Sequence, residues 1–339
     1  MQVCNVKQVN WHERVNVLEK KFLEQIRIRQ LVSKEDHVLL AVSGGSDSMA
    51  LLHLFCAIRR AVPCRISAVH CNFRLRAEES DEDERFVQEA CLALGVTCYT
   101  VGFDTLKMAG EWKTSIEETA RILRYRYFDT LLSEHGMKVV ATGHHVNDNA
   151  ETMLFNLFRG TSLLGLRGIR AKRGKIIRPL LLVHKVEILG YIDEKHIAFR
   201  IDATNFGIDP DRNFIRNRII PLIEERFSHK LLPSLQRLSE QAGELEEFLE
   251  LYFENLLADK PGLSASNGML EVKDLVLLSL FEQKEVFKRA LREHDVKCDS
   301  KTLDQLVRLL KTQPGRMVRL SAQIVVLWKG GTLHILRQS

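Results

Sequence analysis

The chain has 339 residues, 45% hydrophobic and 27% charged, ordinary proportions for a globular protein with room for two or three domains and a large core. No apolar run approaches the ~18 residues of a membrane span, and the N-terminus lacks the basic-then-apolar order of a signal peptide, so the expected setting is the cytoplasm, with no membrane partner. Net charge is only +5, from 49 basic and 44 acidic residues, and the seven cysteines (Cys4, Cys56, Cys64, Cys71, Cys91, Cys98 and Cys298) form no C-x-x-C pair, which argues against zinc ribbons, iron–sulfur sites and redox dithiols.

The segment before Trp11 reads as a poorly ordered arm. His37–Val42 then reads as a buried strand running into Ser43-Gly44-Gly45-Ser46-Asp47-Ser48, followed by an apolar helix over Ser48–Arg59. Backbone N–H groups at such a helix start are unsatisfied, and the helix dipole favours an anion there. The two glycines allow close backbone approach, and Ser43, Ser46 and Ser48 add hydroxyl donors. Asp47 would repel a phosphate unless a cation intervenes, so the combination points to a nucleotide pyrophosphate with Mg²⁺ rather than to a plain strand-to-helix turn. No Gly-x-x-x-x-Gly-Lys loop and no G-x-G-x-x-G after a strand competes with it.

Further strands are expected at Ile66–Cys71, Thr97–Phe103 and Met137–Thr142, with helices at Asp81–Leu94 and Ser115–Glu134. This alternation predicts a doubly wound, mainly parallel α/β sheet, with ligands outside the carboxyl ends of its strands: Ser43–Ser48, His70–Arg76 and Gly143–Asp148. The acidic run Glu78–Glu84 is explained by a helix start with a solvated face. In Ser115–Tyr127, Glu117 and Arg121 form an ordinary i,i+4 pair, or else Arg121 or Arg124 faces a triphosphate or RNA.

The second strong signal is Thr142–Thr152, a strand end opening a helix. At 100° per residue His144, Asp148 and Glu151 share one face, and Ala150, Leu154, Leu157 and Phe158 share another that can pack on the sheet. Asp148 and Glu151 read as paired carboxylates for a cation or amine, with capping by Asn147 or Asp148 as the competing reading. Metal binding by both histidines is disfavoured, because adjacent helical side chains diverge.

From Arg159 to Arg178 there are seven basic residues (Arg159, Arg167, Arg170, Lys172, Arg173, Lys175 and Arg178) and no acidic one, which favours a polyanionic partner over a solvated loop. Asp202–Asn205 and Arg212–Pro221 follow, and the Arg-Asn pairs of the latter suit phosphates and base edges, with a solvated helix start as the alternative. Leu222–Ala258 reads as helical, broken by Pro261-Gly262 and Ser264–Gly268. Helices at Leu278–Glu293 and Ser300–Lys311 precede strands at Met317–Leu320, Ile324–Trp328 and Leu333–Arg337. The expected domains are 1–221 (catalytic, with the N-terminal arm), 222–260 (helical linker) and 261–339 (a small α/β module).

The Ser43–Ser48 segment resembles the PP-loop of the N-type ATP pyrophosphatases, which cleave ATP between its α- and β-phosphates. The wider order resembles the tRNA(Ile)-lysidine synthetase family. It runs through Ser-Gly-Gly-x-Asp-Ser, His70 with Leu75-Arg76 and Glu79-Ser80, Glu118-x-x-Arg121-x-x-Arg124-Tyr125 and His-His-x-x-Asp-x-x-Glu-Thr. It continues through Arg159-Gly160 with Gly165-Leu166-x-Gly168-Ile169, Arg178-Pro179-Leu180 and Arg216-Asn217-x-Ile219-x-Pro221. One departure is Asn147, where the family usually has the first of two adjacent acids; Asn149 in place of a common Gln is milder.

The resemblance implies a PP-loop ATPase fold of Rossmann-like type and a ligase that modifies the wobble cytidine of an isoleucine tRNA with a CAU anticodon. ATP would adenylate the cytosine O2, releasing pyrophosphate, and free L-lysine would then attack C2 and expel AMP. It implies ATP binding by Ser43, Gly44, Gly45, Ser46, Asp47, Ser48, Arg121 and Arg178, with Asp47 on Mg²⁺. Asp148 and Glu151 would bind lysine and, with Asp47, carry the catalysis. Arg159, Arg167, Arg170, Lys172, Arg173, Arg212 and Arg216 would hold tRNA, with the C-terminal module gripping more distant parts. A homodimer is left open. Competing readings are a tRNA thiolase on the same loop, an NAD⁺- or GMP-synthetase-like ligase, and a tRNA binder without activity.

Overall fold

Val38, Leu39 and Leu40 are shielded from solvent on both faces of one short strand, the environment that a continuous apolar run requires of a parallel sheet. In the computed structural model, which describes residues 16–76, 78–200, 210–265, 267–296, 299–321 and 324–337, this strand lies at the middle of a six-stranded sheet. The expectations for the N-terminal arm, Cys4, Asp202–Asn205 and Cys298 lie outside the described residues.

The described residues open with α1 (Val17–Ile28), β1 (His37–Ala41), α2 (Ser46–Ile58), β2 (Arg65–Asn72), α3 (Glu78–Ala93) and β3 (Thr97–Gly102). Next come α4 (Thr105–Trp112), α5 (Ile116–Glu134), β4 (Val139–Ala141) and α6 (Val146–Phe158), then a hairpin of β5 (Lys172–Arg173) and β6 (Ile176–Ile177), and α7 (Lys185–Glu194). The strand order is β3-β2-β1-β4-β6-β5, parallel except for the antiparallel β5–β6 edge. Side chains alternate across β1: Val38 and Leu40 enter a core with Phe22, Phe55 and Ile188, whereas Leu39 joins Phe128, Leu131 and Val140 on the opposite face. The α/β reading therefore holds. The hairpin and helices α1, α4 and α7 are additions to it.

Beyond Pro210 the structure has α8 (Pro210–Phe214), a π-helical turn at Ile215–Ile219, α9 (Ile220–Arg226) and α10 (Leu231–Asp259). The continuous helix expected over Leu222–Ala258 is interrupted, because Ser228 and His229 adopt left-handed backbone (φ 52° and 57°) between α9 and α10. Ala150 and Leu154 of α6 pack with Ile215 and Ile220 rather than on the sheet, and Leu157 and Phe158 are exposed.

The chain divides into two compact units, with the division inside α10 after Gly243. The second unit holds β7 (Met269–Glu271), α11 (Val272–Leu275), α12 (Leu280–Glu293), α13 (Ser300–Leu309), β8 (Met317–Arg319), β9 (Ile324–Lys329) and β10 (Thr332–Arg337). Its antiparallel sheet, in the order β7-β10-β9-β8, covers a core built on Phe253, Phe287, Leu306 and Leu333. Among the described residues no helix is long and apolar enough to cross a membrane.

Candidate active site

The glycine-hinged loop sits at the carboxyl end of β1. Gly44 has φ +93°, a conformation that L side chains rarely adopt, and Gly45 precedes α2 without a side-chain cap, so the first N–H groups of α2 stay available to a ligand. Ser48 shapes the loop from inside: its hydroxyl accepts from the Ser43 N–H (3.1 Å) and donates to the Gly45 carbonyl (2.9 Å). Ser48 Oγ also lies 3.2 Å from Ser43 Oγ, so these two hydroxyls brace the loop.

Asp47 meets two groups that its own helix does not supply. Lys185 Nζ, at the start of α7, donates to Asp47 Oδ1 (2.6 Å) and Ser46 Oγ (2.8 Å), and His145 Nε2 lies 3.6 Å from Asp47 Oδ2. Burial pushes the Asp47 carboxyl up, but hydrogen bonding and charge from His145 and Lys185 outweigh it and hold the group below the usual carboxylate range. Gly143 permits this closeness: a Cβ there would stand 3.1 Å from the Asp47 backbone.

The second cluster opens α6, beside β1's parallel neighbour β4. Asp148 accepts from the His145 N–H (2.9 Å), so its capping role is real, and its other oxygen lies 3.7 Å from Arg216. His144 precedes the helix and turns back to Thr142 Oγ1 (2.8 Å) instead of sharing a helical face with Asp148. Burial, partly offset by Asp148, pushes its imidazole down to about 4.

Glu151 is almost wholly buried and holds Arg216 bidentately, with Nε and Nη2 at 2.6 and 2.8 Å. Burial raises the Glu151 carboxyl while Arg216 pulls it back, and the same bond raises the guanidinium. Arg216, expected on an RNA-facing surface, therefore sits among the carboxylates expected to hold lysine.

Two clefts flank the loop and share Ser43, Cys71, Phe73 and Arg124. One reaches Asn72, Arg121 and Arg200; the other reaches Asp47, His144 and Asp148. The acidic run on α3 is more than a solvated face: Asp83 bridges Arg200 (2.6 Å) and Arg76 (2.9 Å), and Asp81 and Glu84 accept from Asn72. Arg200 in turn donates its backbone N–H to the Gly44 carbonyl (2.9 Å), tying α3 to the loop. Arg178 is buried, and its Nη1 donates to the Arg170 carbonyl (2.8 Å) outside both clefts.

The remaining basic positions divide in two. Arg159 and Arg212 both stack on Phe155 (4.8 and 5.5 Å), while Arg170, Lys172 and Arg173 lie exposed on and beside the β5–β6 hairpin. Arg167 packs beside Gly243, and its carbonyl accepts from Ser239 (2.6 Å). Asn149 joins these parts, accepting from the Ile169 N–H (2.6 Å) and donating to Ser239 (3.0 Å). Lys185, Arg200 and Asn149 do not stand out in the sequence as site residues; the one local cue is Glu187, three residues after His184, which closes a capping box at the start of α7.

The described cysteines Cys56, Cys64, Cys71, Cys91 and Cys98 are free thiols, and burial pushes Cys71 up to about 12. No group of three or more His, Cys, Asp or Glu among the described residues is arranged to hold a metal. Asp47, with Asp148 nearby, nevertheless fits Mg²⁺ in the way usual at nucleotide sites, where one or two carboxylates share the ion with phosphates and water.

A family model described as a PP-loop domain matches residues 16–223. The tRNA(Ile)-lysidine synthase of Chlorobaculum tepidum is 52% identical over 320 residues, covering 94% of this chain and 97% of that one. That of Clostridium perfringens is 31% identical over 328 residues, covering 94% and 68%, and that of Bacteroides thetaiotaomicron is 38% identical over 237 residues, covering 70% and 54%. The U34-tRNA thiolase NcsA from Methanococcus maripaludis superposes with a TM-score of 0.55 at 18% identity, covering 66% of this chain and 78% of its own, a likeness of fold alone.

Proposed function

The chain belongs to the tRNA(Ile)-lysidine synthase family of PP-loop proteins, and from that membership and the geometry of its site we propose a two-step ligation of L-lysine to an isoleucine tRNA. It is an ATP-dependent tRNA-modifying ligase. The observation that carries the mechanism is the pairing of β1 with β4, which sets the anion loop beside the acidic start of α6, with His145 Nε2 3.6 Å from both Asp47 and Asp148.

In the first step the loop N–H groups, Ser43 and Ser46 bind the ATP polyphosphate, and Arg121 reaches it across the cleft. The cytidine O2 bonds to the α-phosphorus as the bond to the bridging oxygen breaks, and the electron pair leaves with pyrophosphate. Asp47, with Asp148 in reach, would hold Mg²⁺, which would supply positive charge to the phosphates. In the second step the ε-amine of lysine attacks C2 and AMP departs. Free lysine has an ε-pKa of ~10.4, so it arrives protonated. Asp148 and Glu151 receive the ammonium as Arg216 yields its place, and assist loss of the proton. The exposed Arg170, Lys172 and Arg173, with Arg159 and Arg212, meet tRNA phosphates.

The test is incorporation of labelled lysine into unmodified isoleucine tRNA with a CAU anticodon, with and without ATP, using the methionine tRNA of the same anticodon as control. ATP-dependent label that survives mild alkali is expected on the isoleucine tRNA alone. Steady tRNA-dependent AMP release without label would overturn the choice of lysine as nucleophile.

A further inference from the structure

We propose that Lys185 is the protein's own cation for the ATP polyphosphate and the departing pyrophosphate, and that Asn147 sets it in place. The inference rests on the reading that Ser43–Ser48 holds that polyphosphate. Lys185 lies well over a hundred residues beyond the loop in sequence, yet its ammonium is shared between Ser46 Oγ and Asp47 Oδ1, at the first two positions of α2. An ammonium has three donors, and these two bonds leave one for a phosphate oxygen. The side chain is 33% exposed, so the charge stands at the mouth of the loop rather than under it.

The position of Lys185 is built rather than incidental. It is the first residue of α7, and its backbone N–H donates to Asn147 Oδ1 (3.1 Å). The Val146 N–H donates to the Val183 carbonyl (3.0 Å), so the starts of α6 and α7 are tied together by two bonds close to the lysine. His184 and Glu187 close a capping box behind it, and Glu187 is itself held by Lys21 (2.9 Å). Asn147, where the family usually has an acid, thus acts as a neutral acceptor for α7. An uncharged group there accepts the same bond without adding a negative charge beside the polyphosphate.

Electrostatics gives this arrangement its function. A polyphosphate entering beside Asp47 brings like charge to like, and Lys185 answers both: it neutralises Asp47 beforehand and turns its remaining donor to phosphate on entry. As the bond from the α-phosphorus to the bridging oxygen breaks, negative charge grows on the pyrophosphate, and a fixed ammonium there stabilises the transition state more than the ground state.

The test is tRNA-dependent pyrophosphate release as a function of ATP concentration, with pyrophosphate also titrated as product inhibitor. Lys185→Met should lower kcat/KM for ATP about 100-fold and weaken inhibition by pyrophosphate, with tRNA affinity and melting temperature close to wild type. Lys185→Arg should restore most of the loss. Asn147→Ala should raise KM for ATP more than it lowers kcat and add little in the Lys185→Met background, whereas Asn147→Asp, which keeps the acceptor but adds a charge, should raise KM for ATP by a smaller factor than Asn147→Ala. Wild-type kcat/KM and unaltered pyrophosphate inhibition in Lys185→Met would overturn the proposal. If Lys185→Met unfolds, a Lys185→Arg variant with no better use of ATP than Lys185→Gln would overturn it equally. Absence of tRNA-dependent pyrophosphate release from the wild type would instead remove the reading of Ser43–Ser48 on which the proposal rests.

Discussion

Buried Glu151 and half-buried Arg216 occupy each other's charge, and the lysine selectivity proposed for the site would turn on that exchange. A substrate ammonium competes with a guanidinium that is already bonded twice, so it must bring further interactions to win. Glu151→Gln keeps the shape but removes the charge. It should leave adenylation near wild type and slow lysine transfer at least about 100-fold, as read by single-turnover assays of the two steps. The same change takes from Arg216 its closest anion and should cost about 1–3 kcal/mol in urea unfolding. Equal slowing of both steps would place Glu151 outside lysine handling. The proposed site was half legible. Asp47, Asp148 and Glu151 stood out because carboxylates beside an anion loop need a reason. Lys185 did not, because a lysine at a helix start is ordinary until the fold brings it to the loop.

At the level of elements, the junction of β4 and α6 is as constrained as the loop itself. Gly143 lies where a Cβ would press on the Asp47 backbone at 3.1 Å, so Gly143→Ala should shift the loop by a few tenths of an ångström. We expect about tenfold lower kcat/KM for ATP with tRNA affinity unchanged. The β5–β6 hairpin carries a separate expectation. Replacing Arg170, Lys172 and Arg173 with alanine should weaken tRNA binding and reduce the slope of log K against log salt by about 0.7–0.9 for each phosphate no longer neutralised. An unaltered slope would return these residues to solvent. Strands β1 to β4 were legible because each is a short, mostly apolar run between helical patterns. The hairpin was not, since two-residue strands carry no periodicity. The break after α9 was hidden for another reason: Phe227-Ser228-His229-Lys230 contains neither glycine nor proline, and the left-handed turn is held by the His229 N–H bonding the Glu224 carbonyl (2.9 Å).

Across the whole molecule, acid sensitivity follows from histidines kept neutral. His144 is pushed down to about 4, and burial lowers His70, whose Nδ1 bonds the Val42 carbonyl. The unfolded chain takes up these protons as pH falls through about 6.5, so the stabilisation is complete above that pH and is lost on the way down to the folded value. Asp47, held low, adds its own loss only at still lower pH. The His144 share amounts to about 3 kcal/mol between pH 6.5 and 4. His144→Gln should flatten the urea midpoint over that window, and an unchanged pH profile would show that the ring is solvated. At this scale the doubly wound sheet and its ligand-bearing edge were legible, because parallel strands need crossover helices and place loops at their carboxyl ends. The extent of each compact unit was not, since α10 runs through the division without a break in its sequence pattern.

The hairpin at one edge of the sheet has a consequence for the protein in a crowded solution. An open parallel sheet ends in unpaired backbone groups that invite a strand from a neighbouring molecule. Here the last strand reverses direction, is two residues long, and consists of Lys172 and Arg173. So short and cationic an edge makes a poor template and repels its own copies. The charges proposed to attract a nucleic acid therefore also guard against aggregation, and a variant that neutralises them forfeits colloidal stability along with its RNA.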